Sequence, residues 1–146
     1  LSLDFLGLNF YASITLAPVP KAEVGETMTD MVWAIRPHSM YEGIKEVSEL
    51  GAPILITENG IPDAKDDRRE KWIIGYSNAL NRAIDEGYDV RGYYYWSFID
   101  NFEWNMGYKP KFGLYTRERE LRKGAEPFRD YLRLSTNPAN LRFSRA

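Results

Sequence analysis

The 146-residue sequence has no cysteine and a single histidine, His38. Lack of cysteine excludes disulfides and thiolate metal sites and favours a reducing, cytoplasmic setting. With one histidine there is neither a histidine-rich metal site nor a Ser-His triad to look for, so no metal and no other cofactor is expected. No run of Lys or Arg exceeds two residues and the formal net charge is −2, which argues against a nucleic-acid partner. No apolar stretch approaches the roughly 20 residues of a membrane span, so no membrane partner is expected. No signal peptide is visible, although a truncated start could have lost one. The chain opens on Leu1, and Leu3-Asp4-Phe5-Leu6-Gly7 reads as if it began inside a strand, as in a fragment of something longer.

A hydrophobic content of 44% is enough for a real core, and the length suits one domain over 1–146. Leu3 to Tyr11 reads as a strand. Residues 17–37 hold three prolines and little periodicity, as in a long loop. Pro37 then stands near a helix start, Met40, Ile44, Val47 and Leu50 recur at helical spacing, and Gly51 is a stop signal. Ile54–Thr57 is the next strand. Pro62 to Asp67 reads as a polar loop with Asp66 or Asp67 as N-cap. Ile73, Tyr76, Leu80, Ala83 and Ile84 mark a second helix closed by Gly87. Val90 to Ser97 is a third strand, followed by a hairpin near Phe112–Leu121 and a helix over Ala125–Leu134. The β-to-α connections are long and the α-to-β turns short, an asymmetry that fits a (β/α)8 barrel or a doubly wound sheet. Three such units cannot close a barrel of roughly 250 residues, so the chain is part of one or a small open domain.

Two segments carry chemistry. Pro53-Ile54-Leu55-Ile56-Thr57-Glu58-Asn59-Gly60 delivers a carboxylate from a buried strand into a polar, glycine-ended turn. Such a carboxylate is costly unless paired, and proteins accept it where they need a nucleophile, acid or base. The plainer reading is a surface acid beside residues that suit a turn. Tyr93 to Trp104 holds seven aromatics in twelve residues. Tyr93 to Tyr95 read as core strand. Trp96 lies where the strand gives way to a loop, and Asp100, Asn101, Glu103 and Trp104 place acceptors beside a flat ring. Sugars have an apolar face and a fringe of hydroxyls, and this combination suits them better than it suits a solvated loop.

Three blocks then resemble glycoside hydrolase family 1, the β-glucosidase and β-glycosidase family. They are Leu6-Gly7-Leu8-Asn9-Phe10-Tyr11, Ile56-Thr57-Glu58-Asn59-Gly60, and Trp96-Ser97-Phe98 through Asp100-Asn101-Phe102-Glu103-Trp104 to Lys111-Phe112-Gly113. The resemblance implies the C-terminal part of a (β/α)8 TIM barrel, with these as strands six to eight and their helices. It implies that Glu58 is the catalytic nucleophile, that Tyr11 hydrogen-bonds it, and that Asn9 stands beside it. It further implies that Trp96 floors the sugar site ahead of a non-proline cis peptide bond. Glu103 and Trp104 would read glycone hydroxyls with Phe112 nearby, and Trp33 would line the entrance. The Glu103-Trp104 pair points to an unphosphorylated β-linked sugar as the substrate.

Departures accompany the match. Phe10 stands where many members have Tyr, and Thr116–Arg122 looks short for the family's hairpin. The family's acid/base lies in an Asn-Glu-Pro triplet that these 146 residues lack. Glu126-Pro127 sits on the wrong element to replace it. The expectation is therefore half of a retaining β-glycosidase, inactive alone, its open strand edges covered by the N-terminal part of a barrel or by self-association. The alternative is a non-catalytic carbohydrate-binding barrel fragment; a structural domain with accidental motifs is the weaker third.

Overall fold

The computed structural model describes residues 3–13 and 26–135. Of the long loop expected over 17–37, residues 17–25 lie outside the described part. Three strands, β1 (Leu6–Asn9), β2 (Ile54–Asn59) and β3 (Val90–Tyr95), form a parallel sheet in the order β1-β2-β3. Helices α1 (Pro37–Ser48), α2 (Arg69–Asp85) and α3 (Glu126–Ser135) follow them in turn. Strand pairing runs from Leu6 opposite Ile54 and from Ile54 opposite Val90. The first strand begins at Leu6 rather than Leu3, and at their C-terminal ends both outer strands stop short of the expected Tyr11 and Ser97, where the chain leaves the ladder to build loops.

Pro37 opens α1 with its fixed φ and its missing N–H, a combination that suits a first helical turn. The helix ends at Ser48, so the Leu50 expected in its apolar stripe falls in the following turn and is 64% exposed. Gly51 takes a φ of +70° there, a conformation that favours glycine. The start of α2 corrects a second expectation. Neither Asp66 nor Asp67 caps it; the carboxylate of Asp63 reaches forward and accepts the N–H groups of Arg68 and Arg69, both at 2.9 Å. Gly87 closes this helix with a φ of +95°. The segment after β3 turns tightly, with Tyr115 bridged antiparallel to Leu121, where the hairpin was expected.

One core holds the layers together. Met40, Tyr41 and Ile44 of α1 meet Trp72, Ile73, Tyr76, Leu80 and Ala83 of α2 over Ile54 and Ile56 of β2. Trp72, which the helical periodicity had not singled out, stacks on Tyr76 with ring centroids 4.1 Å apart. Burying a side chain of this size contributes on the order of 2–3 kcal/mol, so α2 is fixed by its aromatic face. Phe5 and Tyr94, near the outer two strands, remain 54% and 60% exposed.

Candidate active site

The site is built where the three strands end. Register slips between Leu8 and Asn9 on β1 and between Ile56 and Asn59 on β2 set Asn9 opposite Glu58 and Asn59 opposite Tyr95. Such irregularities re-aim side chains at the rim of a sheet. Here they leave Ile54 and Ile56 in the core and bring Glu58 to the rim, half-buried. Asn59 is fully buried and ties the rim together. Its Nδ2 donates to the Phe10 carbonyl at 2.6 Å, its Oδ1 accepts from the Tyr93 hydroxyl at 2.8 Å, and its own carbonyl accepts the N–H of Trp96 at 2.9 Å.

Across this rim the Tyr11 hydroxyl donates to Glu58 Oε2 at 2.6 Å. Burial, then the Glu58 contact, push the Tyr11 phenol above its ordinary range, so it stays protonated and remains a donor. Tyr11 is held by rings on two sides, Trp33 at 5.6 Å and Phe112 at 6.2 Å between centroids. The peptide bond between Trp96 and Ser97 is cis. Beyond it the Ser97 hydroxyl donates to the Ile99 carbonyl and to Asn101 Oδ1, and Asn101 Nδ2 donates to Glu103 Oε2 at 2.6 Å. Glu103 is thus oriented by a chain of hydrogen bonds that starts just past the end of β3. Trp104 follows with a φ of +47° and is 82% exposed, an unusual conformation for a bulky residue and one that clusters at functional sites.

Tyr11, Trp33, Glu58, Trp96, Glu103, Trp104 and Phe112 together line one cleft of about 300 Å³. The size suits a small ligand, and the lining of two carboxylates among rings suits a polyol with one apolar face. Among the sequence candidates only Asn9 stands outside the lining; its Oδ1 accepts the Thr57 hydroxyl at 2.6 Å on the exposed end of β1. Asp100 is also spent elsewhere. It accepts the Gly113 N–H at 2.9 Å and the Arg122 guanidinium at 2.6 Å, which folds the post-β3 loop rather than offering an acceptor to a ligand. Among the described residues no group of three or more His, Cys, Asp or Glu could hold a metal ion, and no helix is long and apolar enough to cross a membrane.

Two supporting residues were not visible in the sequence. Arg69 is fully buried and binds the carbonyls of Ile61, Asp63, Lys111 and Phe112, the Asp66 carboxylate and the Tyr95 hydroxyl. It joins the β2 loop to the segment carrying Phe112. Asp63 is equally buried; burial opposes its charge, but the N–H and guanidinium of Arg68 outweigh it and hold the carboxyl below its ordinary range. Nothing in Asp66-Asp67-Arg68-Arg69-Glu70-Lys71 separates a buried arginine from a solvated charge run.

A family model described as glycosyl hydrolase family 1 matches residues 1–133. The chain belongs to that family. A β-galactosidase of Pyrococcus woesei is 39% identical over 122 residues, covering 80% of this chain and 24% of the relative. A rice (Oryza sativa) protein named β-glucosidase 25 is 36% identical over 152 residues, covering 78% of this chain and 30% of the relative. Among solved structures, a β-glycosidase from Pyrococcus horikoshii superposes with a TM-score of 0.81 at 38% identity, over 90% of this chain and 35% of that one. The chain therefore spans about a quarter to a third of the relatives it matches. Its three parallel strands with their helices fit part of a (β/α)8 barrel.

Proposed function

We propose that this chain supplies the nucleophile and the sugar-binding half of a retaining β-glycosidase acting on unphosphorylated β-glycosides. Its strands correspond in this reading to the sixth, seventh and eighth of the barrel. The observation that carries the reading is the 2.6 Å hydrogen bond from Tyr11 to Glu58 inside a cleft ringed by Trp33, Trp96, Trp104 and Phe112. Glu58 attacks the anomeric carbon, the bond to the leaving group breaks, and a covalent glycosyl-enzyme forms; water then releases the sugar. Tyr11 keeps Glu58 oriented toward the reacting carbon. Glu103, aimed by Asn101, binds sugar hydroxyls, and Trp96 and Trp104 offer rings to the apolar face.

Retention needs a second carboxyl about 5–5.5 Å from the first, to protonate the leaving group. Glu103 does not fill that role in this reading: the family resemblance sets it against glycone hydroxyls, and Asn101 already holds one of its oxygens. The acid/base comes from an Asn-Glu-Pro segment outside these residues, in the N-terminal part of a barrel, and the chain alone turns over little or no substrate. A dinitrophenyl β-glucoside with fluorine at C2 isolates the nucleophile. The leaving group departs without a proton, and fluorine slows release of the covalent intermediate. Mass spectrometry should find the fluoroglucosyl adduct on the peptide containing Glu58, and none in Glu58→Gln. Binding of the sugar without an adduct would favour the second reading, a carbohydrate-binding fragment, for which the missing Asn-Glu-Pro triplet speaks. Rapid hydrolysis of an aryl β-glucoside by the chain alone, abolished in Glu58→Gln, would refute the half-site division.

A further inference from the structure

The turn that carries Trp33 is held from outside itself. Within it, Thr29 N–H donates to the Trp33 carbonyl at 2.8 Å, and Thr29 Oγ1 accepts the N–H groups of Met31 and Trp33 at 3.3 and 3.2 Å. Met28 and Ala34 are bridged antiparallel. Yet the turn contains Val32 with a φ of +61° and 75% exposed. A β-branched residue is a genuine outlier in that region, and it persists only where the surroundings over-determine it. Packing cannot be what holds so exposed a side chain, so the constraint lies in the turn's anchors.

Those anchors converge on Arg68. Its Nη1 donates to the Met28 carbonyl at 2.6 Å, and its Nη2 binds the carboxylates of Asp30 and Asp63. Asp30 adds the Ala64 N–H to its other oxygen at 2.7 Å, and its own N–H donates to the Pro62 carbonyl at 3.1 Å. One planar guanidinium therefore bolts the turn to the loop after β2, in charge-assisted geometry that a lysine could not reproduce. Arg69 beside it does the same for the neighbouring ring through the Phe112 carbonyl at 3.1 Å. Arg68, the N-cap of α2, and Arg69, its first residue, thus hold two rings in contact, Trp33 and Phe112, whose centroids are 6.3 Å apart.

We propose that Arg68 is the positioning residue for Trp33, fixing the aromatic side of the cleft that meets the group leaving the sugar. The assignment of that side rests on the glycosidase reading above; the clamp itself does not. The test uses the full chain labelled with 5-fluorotryptophan, its four tryptophans giving four fluorine resonances, with Trp33 assigned through Trp33→Phe. In Arg68→Met and in the milder Asp30→Ala, the Trp33 resonance should move and broaden while that of buried Trp72 stays. Adding Val32→Gly to Arg68→Met should restore the Trp33 line, because glycine removes the strain that the clamp opposes. The advantage of p-nitrophenyl over methyl 1-thio-β-glucoside in binding should fall by up to about tenfold in Arg68→Met. A Trp33 resonance unmoved in both variants, or an aryl advantage unchanged in Arg68→Met, overturns the proposal. If the parent chain binds neither glucoside, the sugar reading falls, and the fluorine line still decides the clamp.

Discussion

A Cβ built on Gly60 would lie 1.6 Å from the carbonyl oxygen of Trp96. The backbone behind the Glu58 turn and the backbone that presents Trp96 are thus in direct contact, with no flexible side chain between them to give way. Gly60→Ala must push one of them aside. It should destabilise the fold by about 3 kcal/mol, at the upper end for overpacking, measured by urea unfolding. Relief by a small side-chain shift, seen as a change under about 1 kcal/mol, would contradict this.

Tyr11→Phe separates the hydroxyl from the ring. The ring's contacts with Trp33 and Phe112 survive, so only the bond to Glu58 is lost. Hydrogen bonds to charged groups contribute roughly 1.5–3 kcal/mol, so the rate of adduct formation at Glu58 should drop about tenfold or more. An undiminished labelling rate would mean that the contact does not orient Glu58 for the attack proposed above.

Asp63 predicts an acid-side loss of stability. Its carboxyl is held below the ordinary 3.8 in the folded chain, so between the two values the unfolded chain binds more protons and stability rises with pH. The contribution is complete above about pH 4 and fades as pH falls through the depressed folded value. Asp63→Asn should be less stable than the parent at pH 7, and the two melting temperatures should converge on acidification below pH 4. Parallel curves would show that Asp63 is not a source of the acid sensitivity.

Arg69→Met should be the most damaging single change in the fold. It removes the buried donor shared by the carbonyls of Ile61, Asp63, Lys111 and Phe112, the last three of which keep only a backbone N–H, and leaves the Asp66 carboxylate without its nearest cation. Breaking one partner of a buried charge cluster costs about 3–5 kcal/mol. Arg69→Lys should not rescue it, because an ammonium cannot serve acceptors spread around a planar fork. Urea unfolding of the three proteins decides.

The elements were legible where local chemistry sets them. Pro37, Gly51 and Gly87 mark helix ends through backbone geometry alone, and the apolar run from Pro53 to Ile56 marks a buried strand. Leu50 misled because apolar spacing cannot say where a helix stops; its neighbour Gly51 carries that information. The cleft was legible as a set of residue types, yet its scaffolding was not. Asp100 looked like a ligand acceptor and is used to fold its own loop, and Asp63, not Asp66 or Asp67, receives the start of α2. Charged residues take their meaning from partners distant in sequence, as Arg68 does from Met28 and Asp30.

Asn59 has a consequence of another kind. One buried residue registers its own strand with both neighbours, its side chain through Phe10 on one side and Tyr93 on the other, and its main-chain carbonyl through Trp96, immediately beside Glu58. The spatial recipe for this half of the site is therefore written within neighbouring strands and travels with them. Such a block is portable: grafted onto the matching portion of another relative, it would bring Glu58 and Tyr11 already aligned, and on the glycosidase reading proposed above chimeras across this seam become a route to new sugar preferences.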